Sequence, residues 1–146
     1  MFEKPPFTKQ EEAKIVNAIK TAEKNTSGEI RIHVEKHYKT EDTYERAIDV
    51  FEELGMTNTE QRNGVLIYMA IADRKFAIIG DQGINDVVPP NFWDTTKNLM
   101  IEHFKKGEMA EGFATGILHA GEQLKTHFPY QDDDENELDD DISYGS

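Results

Sequence analysis

The chain has 146 residues, the length of one domain, and its 16 basic and 29 acidic side chains leave a formal net charge of −13. It has no cysteine, which excludes disulfides, thiolate metal ligands and a cysteine nucleophile. The longest apolar run, residues 65–72, is far short of the ~20 residues that span a membrane. The start, Met1-Phe2-Glu3-Lys4-Pro5-Pro6, lacks the basic-then-apolar layout of a signal peptide. A cytoplasmic protein without membrane insertion is the expectation. An acidic surface opposes a phosphate backbone, so nucleic acid is excluded as a partner and cations or basic partners are favoured.

Thr8 with Glu11 forms a capping box, so a first helix starts there, with Ile15, Val16, Ile19 and Ala22 as its apolar stripe. Residues 25–28 end it. Residues 29–35 alternate, with Ile30, Ile32 and Val34 on one face, and predict a strand. A second helix is expected from about Thr40, with Tyr44, Ala47, Ile48, Phe51 and Leu54 inward and Gly55 as its terminator. Residues 64–70 are continuously apolar, as in a strand buried on both faces. Asp73-Arg74 marks a turn before a third strand over 75–79, which Gly80-Asp81-Gln82-Gly83-Ile84 breaks. Pro89-Pro90-Asn91 precedes a helix carrying Phe92, Trp93, Leu99, Met100 and Phe104. A last helix carries Met109, Phe113, Ile117, Ala120 and Leu124. Its Gly112, Gly116 and Gly121 are read as points of close backbone packing.

The second and third strands are too close in sequence for a parallel crossover, so they form an antiparallel hairpin. The first and second are joined through a helix and run parallel. The expectation is an α/β fold, a three-layer α/β/α sandwich with a small mixed sheet of three to four strands and about four helices. This topology brings the starts of strands one and two beside the end of strand three. Glu29, Asn63 and Asp81 then share one edge, and the next loop adds Asn85 and Asp86. Clustered carboxylates need a cation or a raised pKa, and oxygen-only donors suit calcium or magnesium. The plainer reading is that the glycines turn the chain while the acids cap helices or face water.

The last fifteen residues, 132–146, hold eight acids and no base, which sets them apart from a domain over 1–130. Such a run repels itself and reads as a solubilising acidic tail. Asp132, Asp134 and Asn136 alternate like half of an EF-hand loop, but Glu137 stands where the loop needs glycine. Removing the tail is expected to leave the fold and any loop-based metal affinity intact. A return of the tail onto the body would run through Ile142 and Tyr144.

Three stretches follow one another in a distinctive order: Thr-Ser-Gly-Glu-Ile-Arg-Ile at 26–32, Arg-Asn-Gly-Val-Leu-Ile at 62–67 and Ala-Ile-Ile-Gly-Asp-Gln-Gly-Ile at 77–84. In them the chain resembles the TPM domain, shared by a thylakoid lumen protein, a photosystem II repair protein and a modulator of acetylcholine receptors. Phe104, Gly107 and Gly116-Ile117, with the ending around Phe128-Pro129-Tyr130 and Ile142-Ser143-Tyr144-Gly145, are similar to short stand-alone bacterial members. The resemblance implies an α/β/α sandwich, divalent-metal binding near the crossing loops and, in part of the family, acid phosphatase activity. Typical members carry a signal peptide and a membrane segment. Glu29, Asn63 and Asp81 lie in the matching motifs, and Asp86 is added by its proximity along the loop.

The function expected on these grounds is binding of calcium or magnesium through Glu29, Asn63, Asp81 and Asp86, with the metal ordering the loops and a regulatory role open to it. Asp81, directly after a strand, is expected to be the best-anchored ligand. The alternatives are a metal-dependent acid phosphatase and a protein-interaction module presenting Phe92 and Trp93 to an unidentified partner. Phosphoryl transfer needs a nucleophile, a general acid and cationic clamps. Only Arg62 is a base near the proposed edge, no phosphate loop is present, and His33, His37, His103, His119 and His127 lack ligand spacing. Ser27 and Ser143 sit in turn and tail sequence, so no serine–histidine–acid set can be argued.

Overall fold

The structure is a computed structural model and describes residues 6–36, 42–131, 138 and 140–145. Its elements are α1 (Lys9–Glu23), β1 (Glu29–Glu35), α2 (Thr43–Glu53), β2 (Gly64–Ala70), β3 (Lys75–Gly80), α3 (Gln82–Asn85), α4 (Asp94–Lys105), α5 (Met109–Lys125) and β4 (Ser143–Tyr144). The sheet order is β3-β2-β1-β4. β1 and β2 run parallel from Glu29↔Gly64 to Glu35↔Ala70, and β2 and β3 form the antiparallel hairpin, from Val65↔Gly80 to Ala70↔Lys75.

Side-chain alternation divides the sheet into two apolar faces. Ile30, Ile32, Val34, Val65, Ile67, Met69 and Ile78 face the core made with α1, α4 and α5. Leu66, Tyr68, Ala70, Ala77 and Ile79 meet Ala47, Val50 and Phe51 of α2 on the other face. β2 is buried along its whole length, as its unbroken apolar run requires. The Thr8–Glu11 capping box starts α1, with bonds of 2.9 and 3.1 Å. Gly55 ends the second helix in the left-handed region at φ 66°.

Four differences from the expected pattern have physical causes. α2 begins at Thr43, capped by Asp42, and its buried residues are Ala47, Val50 and Phe51. Tyr44 and Ile48 face solvent, because the short helix turns its narrow apolar side toward the sheet. Phe92 and Trp93 lie in the turn before α4, and Trp93 is in the core, so the exposed aromatic patch of the interaction-module reading is not formed. Residues 82–85 add a single helical turn, α3, where only a break was expected, because the Asp81 carboxylate accepts from the Gln82 N–H at 2.7 Å. That turn is additional to the four longer helices.

The fourth difference is the end of the chain, which returns to the sheet as β4. It pairs parallel to β1 over His33↔Ser143 and Val34↔Tyr144, and the Gly145 N–H donates to the Val34 carbonyl at 2.9 Å. A Cβ at Gly145 would lie 2.4 Å from Glu35 Cγ, so the chain passes β1 at a distance only glycine allows. Segments 37–41 and 132–137, where part of the acidic run lies, fall outside the described residues.

Close approach also explains the glycines of α5. A Cβ on Gly121 would sit 2.8 Å from Ala22 Cβ and 3.1 Å from its Cα, so the helix presses on the α1 backbone. Alanine raises intrinsic helix stability by up to about 1 kcal/mol, while overpacking against a backbone costs about 1–3 kcal/mol. Gly121→Ala is therefore expected to lower the melting temperature. A rise in urea or thermal unfolding would mean that α1 and α5 are not in contact there.

Candidate functional site

β1 carries four polar side chains on the face away from Ile30, Ile32 and Val34: Glu29, Arg31, His33 and Glu35. Glu29, His33 and Glu35 are buried. A buried charge needs a partner, so each end of the strand gathers one.

At the carboxyl end, Glu35 is only 1 % exposed. It accepts from Tyr68 Oη at 2.6 Å, from Arg46 Nε at 3.1 Å, from Arg46 Nη2 and from His33 Nε2 at 3.2 Å. Burial works to raise its pKa, and the bonds from Arg46, Tyr68 and His33 together outweigh it and hold the carboxyl below the usual range. Burial pushes the His33 pKa down, against the pull of Glu35, so the imidazole is neutral. An ionised Glu35 only accepts. The His33 proton therefore sits on Nε2, and Nδ1 accepts from Ser143 Oγ–H at 2.8 Å. This line of contacts holds β4 on the sheet. The juxtaposition of Ser143 with His33 was not legible in the sequence, where 110 residues separate them.

At the amino end the sheet brings Glu29, Asn63 and Asp81 to one edge, but their side chains have separate partners. Glu29 is 3 % exposed, and its Oε1 accepts from the Leu138 N–H at 3.1 Å. Asn63 is 1 % exposed. Its carbonyl accepts from the Glu29 N–H at 3.2 Å, its Nδ2 reaches Ser27 Oγ at 3.4 Å, and its Oδ1 is buried without a hydrogen-bond partner. Asp81 is also buried, but both its oxygens are taken by Arg62, at 2.7 and 2.9 Å. The guanidinium supplies the positive charge that the sequence reading gave to a metal. Asp86 is exposed at the C-terminal cap of α3.

Two carboxyls that sequence reasoning did not include adjoin Glu29. Glu23, at the end of α1, accepts from the Ile30 N–H through Oε2 at 3.3 Å. Burial, a hydrogen bond with Asp140 and repulsion from Glu29 push its pKa up to about 10. Asp140 comes from the tail, and its Oδ1 is buried without a partner. Among the described residues there is no group of three or more His, Asp or Glu side chains that could hold a metal ion.

A parallel β1–β2 pair with a β2–β3 hairpin, helices on both faces and polar loops converging on one edge define a small α/β/α domain. A TPM domain model matches residues 6–123, and the chain belongs to the TPM domain family. The chain is similar to the BA42 protein of the psychrophilic bacterium Bizionia argentinensis, with 50 % identity, 99 % of each chain covered and a TM-score of 0.93. The N-terminal domain of a P. gingivalis protein shares the fold at 17 % identity and a TM-score of 0.70, covering 86 % of this chain and 82 % of that one. An N-terminal domain from Corynebacterium glutamicum shares it at 13 % identity and 0.63, with 84 % of each chain covered. No curated protein matches the chain. No helix among the described residues is long and apolar enough to cross a membrane.

Removing one partner of a buried ion pair typically costs about 3–5 kcal/mol. Arg46→Met is expected to destabilise the fold by about 3 kcal/mol near neutral pH. Glu35 has a lowered pKa, so its contribution is full above the ordinary carboxylate range and is lost as pH falls through the folded value. The difference between the two proteins should thus close on acidification. A difference that stays constant in acid-dependent denaturation would show that the pair carries no linked stability.

Proposed function

We propose that the domain binds a hard divalent cation, calcium or magnesium, at the sheet edge around Glu29. The observation that carries this reading is the meeting of Glu23, Glu29 and Asp140, where one carboxyl is pushed up to a pKa of about 10 by burial and by its neighbours. A proton shared there does what a cation would do with more charge. The donors are all oxygen, which suits calcium and magnesium rather than zinc. The buried, unpartnered oxygens of Asp140 and Asn63 add acceptor capacity at the same end of the sheet.

In this reading Glu29 and Asn63 keep the roles expected from sequence, and Glu23 and Asp140 join them. Asp81 and Asp86 act differently. Asp81, held by Arg62, fixes the loop that follows β3, and Asp86 caps α3. Calcium needs ~6–8 oxygens, so backbone carbonyls and water complete the shell. A site built from separate segments favours a dissociation constant of roughly 10⁻⁴–10⁻³ M. The tail supplies Asp140 and the Leu138 N–H on Glu29, so truncation after residue 131 is expected to weaken affinity, contrary to the expectation from sequence.

Without the cation, Glu23 holds a proton near neutral pH that the unfolded chain has lost. Its contribution to stability is full below the ordinary carboxylate pKa and is lost as pH rises toward about 10. A cation that replaces this proton releases it, so calcium affinity should rise with pH and binding should release about one proton. Calorimetric titration in two buffers of different ionisation heat measures that release. Glu23→Gln should abolish it, and Glu29→Gln should lower affinity at least tenfold. Asp81→Asn should lower stability and leave affinity unchanged. Affinity lost in Asp81→Asn but kept in Glu29→Gln would move the site to the β3–α3 loop.

A further inference from the structure

Among the described residues, two that are not glycine hold a left-handed backbone, and both are arginines: Arg62 at φ 51° and Arg74 at φ 54°. Glycine or asparagine would adopt that conformation with less strain. At Arg62 the compensation is visible in its two bonds to the buried Asp81. Arg74 sits in the β2–β3 turn, exposed, and forms no ion pair among the described residues. The Arg74 N–H closes that turn onto the Ile71 carbonyl at 3.1 Å, and the guanidinium is left exposed.

Beside Arg74, a cavity of about 860 Å³ opens between the β2–β3 turn and the junction of α4 with α5. Its walls are apolar: Met69, Ile71, Phe76, Ile101, Phe104 and Met109. Phe76 and Phe104 meet edge to face at 5.3 Å, and the methionines can adapt to an aliphatic ligand. Lys105 stands with Arg74 among the lining residues, and it too is exposed and without an ion pair. Glu108, in the second of these turns, is engaged with His103 Nδ1 at 2.9 Å. In a chain of net charge −13, this mouth presents two cations that form no ion pair among the described residues. It lies outside the carboxyl end of β2, where open α/β sheets take ligands, and about 20 Å along the strand from the Glu29 edge.

We propose that this groove binds an amphipathic carboxylate, with an unbranched apolar chain against Met69, Phe76, Phe104 and Met109 and the carboxylate between Arg74 and Lys105. The apolar wall supplies burial, and the guanidinium fork and the ammonium supply charge-assisted hydrogen bonds. The proposal does not depend on the cation site.

Decanoate is a suitable probe, titrated into the full chain with amide chemical shifts and calorimetry as readouts. Saturable binding is expected, with shifts concentrated in residues 69–76 and 101–109. Acetate, which lacks the chain, and decanol, which lacks the charge, should each bind at least tenfold more weakly. Arg74→Asn keeps the left-handed turn, and combined with Lys105→Gln it should weaken decanoate at least tenfold without lowering the melting temperature. Lys105→Glu alone, at an exposed position, should weaken it too and keeps the test open if the turn is perturbed. Decanol binding as tightly as decanoate, variants that bind unchanged, or shifts spread elsewhere would each overturn the proposal.

Discussion

The architecture turns on burying β1 on both faces and along both edges while half of its side chains are polar. One side of the strand packs Ile30, Ile32 and Val34 into the larger core. The other side puts Glu29, His33 and Glu35 out of water, and each must find a counter-charge or a hydrogen bond. Arg46 and Tyr68 answer Glu35, and Ser143 answers His33. The tail therefore has a structural reason to return: it covers an edge whose polar groups would otherwise be left half-satisfied.

The same constraint separates the two ends of the sheet. At the carboxyl end of β1, a carboxylate is matched by a guanidinium and stays ionised. At the amino end, Glu23 meets two other carboxyls, Glu29 and Asp140, and is driven to hold a proton. Asp81, close by in topology, resembles the first case rather than the second because Arg62 satisfies it. Counting acids at an edge does not distinguish these cases. Identifying which acid already has a base does.

The layers and the sheet topology were legible in the sequence because they follow from period and spacing. The alternation over 29–35, the unbroken run at 64–70 and the short link before Lys75 leave few arrangements open. The glycines of α5 were legible as close contacts for a similar reason. The phase of α2 was misread because Tyr44 and Ile48 supply apolar bulk at helical spacing while the smaller Ala47 and Val50 make the contact. At the site, Glu29 and Asn63 could be placed from strand order alone. Glu23 closes a helix, and Asp140 lies 111 residues after Glu29 in a run of like acids, so neither had a local signal linking it to the edge. The pairing of Asp81 with Arg62 depends on a left-handed turn, which no pattern of hydrophobicity reports.

The claim that organises this picture is that a cation would enter where Glu29 meets the end of α1 and the returning tail. Amide chemical shifts followed through a calcium titration test it most directly, because they locate the response along the chain. The account predicts saturable shifts at residues 23, 29–30, 63–64 and 138–141, with small changes at 81–86. Shifts confined to 81–86, or none that saturate, would contradict it.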